Sequence, residues 1–63
     1  MLEQYDDILT VTELAEALKI GSTQAYKIVR SGDVKAFKEG KDWKIPKISL
    51  ETYIRERITF RNF

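Results

Sequence analysis

Cationic and hydrogen-bonding side chains concentrate in the middle of the chain, where their types suit a polyanionic partner. Residues 19–47 contain eight basic and three acidic side chains, whereas residues 1–18 contain five acidic side chains and no basic one. The basic ones are Lys19, Lys27, Arg30, Lys35, Lys38, Lys41, Lys44 and Lys47. This asymmetry indicates one face directed at a polyanion. A solvated surface of mixed charge gives the same counts, so charge alone leaves both interpretations open.

The residues most often used for catalysis and for zinc binding are absent from the sequence. The chain has 63 residues, with no histidine and no cysteine. It therefore has neither the commonest general base nor thiolate or imidazole zinc ligands, and it can form no disulfide. A core this small leaves little volume for a deep pocket, although carboxylate chemistry remains open. We expect no enzyme: no catalytic residues, no metal or other cofactor, and no small-molecule substrate.

The basic side chains must be positioned by secondary structure, and the first helix has a distinct start signal. Residues 10–13 form a capping box, in which the Thr10 hydroxyl accepts from the Glu13 amide and the Glu13 carboxylate accepts from the Thr10 amide. Leu9 and Leu14 occupy hydrophobic-staple positions around it. Apolar residues at i, i+3, i+4 and i+7 then predict a helix over 11–18. They are Val11, Leu14, Ala15 and Leu18.

A second helix is predicted after a break at residues 19–21, and it extends to about Arg30. Gly21 or Ser22 suits its N-cap, and Gly32 suits the position that ends it. The predicted apolar face is Ala25, Ile28 and Val29. The opposite face carries Thr23, Lys27 and Arg30, with Gln24 and Tyr26 on the flanks. Two helices joined by such a turn form a helix-turn-helix, although the same pattern describes the solvated side of an amphipathic helix.

A β-hairpin is predicted over residues 34–46, with strands 34–38 and 43–46 around a turn at 39–42. In this register Lys38 faces Trp43 and Ala36 faces Ile45, so that Trp43 and Ile45 point inward and Phe37 points outward. Trp43 is interpreted as a core anchor in preference to a base-stacking residue. The tip is surrounded by Lys38, Lys41 and Lys44. Such a wing places lysines against DNA, or protects an exposed sheet edge, or does both.

A third helix is predicted from Ile48 or Ser49, with Leu50, Tyr53 and Ile54 at helical spacing. We expect a single domain over residues 1–63, with its core at about 8–57 and a tail at 58–63 that either packs back or is a disordered end. The chain has no apolar run of the roughly 20 residues that span a membrane and no basic leader. We expect a cytoplasmic protein associated with the nucleoid.

The order of these motifs resembles the excisionase-type DNA-binding domain, a winged-helix relative of the DNA-binding part of the MerR family. The resemblance covers residues 8–56 and rests on the runs AYKIVRSGDV, AFK, GKDWKIP and LETYI in sequence order. It implies a mainly helical α+β fold, a winged helix-turn-helix with three helices and a two-stranded β-hairpin wing. The residues that it implies as contacts with double-stranded DNA are Ser22, Thr23, Gln24, Tyr26, Lys27, Arg30, Lys38, Lys41 and Lys44.

The resemblance also implies a role in a mobile element, such as a phage or a transposon. An excisionase, or recombination directionality factor, binds and bends DNA to assist an integrase, and neighbouring copies of the protein are expected to bind side by side. The alternatives are a small transcriptional regulator, and an interaction or antirepressor module on the same fold. The chain departs from the usual family residues at four positions. It has Lys19 for glycine, Gly21 for serine, Ser22 for a basic residue and Lys35 for proline.

Overall fold

Three helices and three short strands make up the part of the chain that the structure describes. The computed structural model describes residues 2–61, and the side chains of residues 2–58. The elements are β1 (Ile8–Leu9), α1 (Val11–Leu18), α2 (Ser22–Arg30), β2 (Phe37–Glu39), β3 (Asp42–Pro46) and α3 (Lys47–Arg61). This order confirms a mainly helical winged helix-turn-helix fold and adds β1 to the predicted elements. None of these helices combines the length and the apolar character that crossing a membrane requires.

Helix α1 begins and ends at local signals. Both bonds of the capping box are present: the Glu13 amide donates to Thr10 Oγ1 at 3.1 Å, and the Thr10 amide donates to Glu13 Oε1 at 2.9 Å. The helix ends at Lys19, whose φ of 59° and ψ of 43° are left-handed. This conformation, which favours glycine, turns the chain sharply toward α2. The predicted range 11–18 is therefore confirmed.

Helix α2 confirms the predicted second helix. Gly21 is its N-cap, where glycine has no side chain to accept from the first turn. Ala25, Ile28 and Val29 are buried, as the periodicity predicts. The helix ends at Ser31, and Gly32 follows with a φ of 86°, the conformation that glycine adopts without strain at this position.

The hairpin has the predicted register, but its first strand and its turn are shorter than predicted, and its second strand begins one residue earlier. Lys38 pairs with Trp43 and Phe37 with Lys44, as expected. The loop consists of two residues, Gly40 and Lys41, and the φ of 67° at Gly40 fits a tight turn with glycine in its first central position. The prediction that the first strand starts at residue 34 is wrong, because β2 starts at Phe37. Val34 is buried and its amide donates to the Ile28 carbonyl, so it completes the end of α2 instead.

Strand β1 extends the wing into a three-stranded antiparallel sheet with the order β1-β3-β2. Leu9 pairs with Ile45 and Ile8 with Pro46. The residues before β1 also pack on the body: Leu2 is buried, and the Lys47 amide donates to the Asp7 carbonyl at 2.7 Å. The sheet is thereby joined to the first turn of α3.

The core lies between α1, α2, the inner face of the sheet and the start of α3. Its fully buried large side chains are Leu9, Leu14, Val34, Ile45 and Leu50. Trp43 packs against this core, which confirms its predicted position. Its ring is only half-buried, so it is less buried than the interpretation as a core anchor implies. Helix α3 starts at Lys47, one residue before the predicted range, and its backbone continues to Arg61. How the side chains of the predicted tail pack beyond Ile58 lies outside the described residues.

Candidate nucleic-acid interface

The exposed face of α2 is the centre of the candidate interface. Because Ala25, Ile28 and Val29 are turned into the core, Thr23, Lys27 and Arg30 are left on the solvent side, and all three are exposed. Ser22, the first residue of the helix, is exposed as well. The face carries hydroxyl, ammonium and guanidinium groups over two turns. Such groups can hydrogen-bond to base edges and to phosphates.

The two flanks of α2 border different surfaces. Gln24 lines a groove between α2 and α3, together with Ile28 and Ile54. Tyr26, which is 44% exposed, lies on the other flank, near the wing. The helix periodicity predicts this separation, since the two residues lie about 200° apart around the helix axis.

The wing lysines project to different places. Lys41 lies in the two-residue turn, at the tip of the hairpin. The Lys38 ammonium lies 5.7 Å from the centre of the Trp43 ring, where the π face attracts it. Lys44 pairs with Phe37, so it has the opposite orientation in the pleat to Lys38. The hairpin therefore presents positive charge at its tip and on both faces.

A notch of about 250 Å³ joins the start of α1, the Tyr26 flank of α2 and the β3 edge of the wing. Its lining includes the hydroxyl-bearing side chains Thr12 and Tyr26, and also Lys44. Hydroxyl and ammonium groups of this kind contact phosphate oxygens in protein–DNA complexes. The carboxylate of Asp42 lines the same notch and opposes an anion there. Thr12 is an exposed candidate that sequence reasoning missed, because its position within the capping box provides no sign of the nearby wing.

The remaining basic and acidic side chains have other surroundings. The Lys47 ammonium donates to the Tyr5 carbonyl at 3.2 Å, so this side chain binds the N-terminal segment. Lys19 and Lys35 are exposed. The described residues contain no group of three or more acidic, histidine or cysteine side chains that could hold a metal ion.

Comparisons with known proteins agree with this geometry. The family model described as "Helix-turn-helix domain" matches residues 8–58. A protein of Saccharopolyspora erythraea named "Probable excisionase" is 35% identical over 46 residues, which cover 73% of this chain and 47% of that protein. The chain thus spans about half the length of this curated relative, and no solved structure matches it significantly. The chain belongs to the helix-turn-helix domain family and is a DNA-binding protein.

Proposed function

We propose that this chain acts as an excisionase of a mobile element, one that binds and bends double-stranded DNA so that an integrase can excise the element. The observation that carries the proposal is the exposed polar and cationic face of α2 beside a lysine-bearing wing. The name of the Saccharopolyspora erythraea relative supports the excision role over other uses of the fold. Such a protein acts in the cytoplasm, at the nucleoid.

Helix α2 is proposed to enter the major groove with its first turns leading. Thr23, Gln24 and Lys27 then meet base edges, since they offer the donors and acceptors that distinguish base pairs. Arg30, at the far end of the helix, and Ser22, at its start, contact phosphates. These phosphate contacts hold the helix in register without reading sequence.

The wing is proposed to lie along the adjacent backbone or minor groove. Lys41 at the tip reaches furthest, while Lys38 and Lys44 contact phosphates on either side of the hairpin. Tyr26 adds a phosphate contact from the notch between α2 and the wing, and Thr12 joins it there. The wing contributes affinity without sequence selection, whereas α2 supplies the selection.

The mechanism is architectural and requires a contact with another protein as well as with DNA. A single module of this size buries roughly 600–1,000 Å² of protein surface on DNA, so one copy binds weakly. Neighbouring copies on repeated sites, or a bound integrase, raise the effective concentration at the site. The bend brings distant recombination sites together.

The proposal is tested by selecting binding sites from fragmented DNA of the host genome and then measuring bending on the selected sites. We expect repeated sites at a mobile-element boundary, beside a recombinase gene, and a bend that increases with the number of bound copies. Sites confined to promoters, without bending, would support a transcriptional regulator instead. Failure to bind any fragment at low salt would leave an interaction module.

A further inference from the structure

Among the residues whose side chains the structure describes, none covers the outer part of an apolar face of α3, where the helix leaves the body of the protein. Leu50, Ile54 and Ile58 lie four residues apart and share one face of the helix. Leu50 is completely buried, Ile54 is partly buried, and Ile58 is 58% exposed. An apolar face that continues past the core of its own domain indicates an interaction surface.

This face forms one wall of a groove of about 700 Å³ between α3 and the helix-turn-helix. Leu18 at the end of α1, Ile20 in the turn and Ile28 of α2 form the facing wall. The α3 wall extends over about one and a half turns, from Tyr53 to Ile58. An additional helix, lying in this groove between α3 and the helix-turn-helix, would bury apolar anchors at i, i+4 and i+7, as in other helix-in-groove complexes.

The charged side chains around the groove indicate which charges a helix docked there should carry. The Arg57 guanidinium lines the groove and lies 4.7 Å from the centre of the Tyr53 ring, which holds it in place. Lys19, which is exposed, lies in the chain between the lining residues Leu18 and Ile20. A partner helix with acidic side chains beside its apolar anchors is therefore complementary.

A second copy of this chain fits less well. Its own α3 carries Glu51 and Glu56 as well as Arg55 and Arg57 over residues 50–58, so it has no net negative charge to complement the basic side chains at the groove. The acidic helix α1 cannot serve either, because its apolar face is already buried in the core. The groove therefore favours a different protein.

We propose that the groove between α2 and α3 is a docking site for an amphipathic helix with acidic flanks, provided by a partner protein that binds beside this chain on DNA. The inference extends the proposed function, which requires a protein partner, but the groove can be tested without DNA. Gln24 lines both the groove and the edge of the candidate DNA-binding face, so an occupied groove lies directly beside the bound duplex.

The test uses the full chain and a fluorescent, helix-stapled peptide of about 15 residues, long enough to hold a helix. Its leucines lie at i, i+4 and i+7 and are flanked by glutamates; a matched peptide has lysines instead. We expect saturable binding of the acidic peptide in fluorescence anisotropy and no binding of the lysine peptide. Ile58→Ser should weaken binding by roughly tenfold, since it removes one buried aliphatic anchor. Arg57→Gln should weaken binding and reduce its salt dependence.

Ile48→Ser is the matched control, because Ile48 lies on the same helix, is 70% exposed and does not line the groove. It should leave peptide binding unchanged, and circular dichroism should show every variant folded. The proposal fails if the acidic peptide does not bind, if both peptides bind equally, or if Ile48→Ser and Ile58→Ser weaken binding alike. A concentration-dependent dimer that Ile58→Ser abolishes would overturn it in favour of a second copy. Unaltered DNA binding alongside a failed peptide test would leave the proposed function intact.

Discussion

At the scale of single residues, the proposed interface assigns base contacts to some side chains and phosphate contacts to others. Lys27 lies on the exposed face of α2, one turn after Thr23, whereas Lys41 lies in the wing turn. Neither side chain is buried, so replacing either one changes the surface and leaves the core unchanged. The two lysines therefore make a matched pair for testing the roles of helix and wing.

We predict that Lys27→Ala and Lys41→Ala lose DNA binding in different ways. Lys27→Ala should remove about 1–3 kcal/mol of discrimination at a definable base pair. Lys41→Ala should weaken binding to all sequences alike and reduce the salt slope by about one unit. The measurement is a titration of both variants against the selected site and scrambled DNA at several salt concentrations.

A different result would contradict each half of this prediction. If Lys27→Ala lowers specific and nonspecific affinity equally, Lys27 contacts a phosphate, and Thr23 and Gln24 must read the bases. If Lys41→Ala binds with unchanged affinity, the wing has only a structural role. Both variants should keep the wild-type circular dichroism spectrum.

At the scale of elements, the turn between α1 and α2 has two residues that are suboptimal for their conformation. Lys19 adopts a left-handed conformation, which explains why the excisionase-type domains usually have glycine there. Gly21 caps α2 without a side-chain acceptor, where those domains usually have serine. Both departures weaken a turn that positions the candidate recognition helix.

We predict that Gly21→Ser stabilises the fold by about 0.5–1 kcal/mol, because serine restores the N-cap acceptor and reduces the entropy of the unfolded chain. The backbone φ of −75° suits serine, and an added Cβ meets no atom within 4 Å. Urea unfolding followed by circular dichroism measures the change.

The matched control for Gly21→Ser is Gly40→Ala. An added Cβ at Gly40 also meets no atom within 4 Å, but the φ of 67° there strains any side chain, so this variant should be destabilised. A Gly21→Ser variant with wild-type or lower stability would contradict the role assigned to the cap.

One face of the hairpin packs on the core and the other faces solvent. Mutations on the two faces should therefore change the stability of the fold by unequal amounts. Trp43→Ala should cost about 2–3 kcal/mol, less than the 3–5 kcal/mol of a fully buried tryptophan, because the ring is half-buried. That is most of the roughly 3–5 kcal/mol margin of a domain this small. Thermal unfolding should show a broad transition at much lower temperature.

Phe37→Ala is the comparison on the solvent face, since Phe37 is exposed and points away from Trp43. Its effect on stability should lie within about 0.5 kcal/mol. If the two variants were equally stable, the assignment of the inner face of the wing would be wrong.

At the scale of the whole molecule, the proposed affinity for DNA rests on charge distributed over α2 and the wing. The net charge is only +1, because the acidic residues 1–18 offset the basic middle of the chain. The acidic side chains Glu13 and Glu16 lie on α1, and the Tyr5 hydroxyl donates to the Glu16 carboxylate at 3.2 Å. We therefore expect steering toward DNA to depend on the orientation of the charges and not on their total.

We predict that binding is strongly salt-dependent despite this small net charge. If the wing and α2 neutralise about four to six phosphates, a plot of log K against log salt concentration should have a slope of roughly −4 to −5. Filter binding or anisotropy between low and physiological salt measures the slope. A slope near zero would rule out binding dominated by phosphate contacts.

Local signals in the sequence by themselves determined the two helices of the helix-turn-helix and the hairpin register. The capping box at Thr10 and Glu13, the periodicity of α2 and the alternation around Trp43 depend on neighbouring residues, so sequence reasoning finds them. The separation of Gln24 from Tyr26 follows from the same geometry. The contacts of these residues with DNA stay predictions.

Contacts between distant segments of the chain are visible only in the folded structure. Strand β1 has two residues, too few for a periodic signal, and it exists because β3 offers an edge for pairing. The sequence predicts a strand at Val34, but in the structure Val34 is buried and its amide donates to the Ile28 carbonyl at the end of α2. The approach of Thr12 to the wing and the groove beside Ile58 likewise depend on contacts between segments far apart in the chain. Such contacts form only when the whole core assembles, and no window of neighbouring residues encodes them.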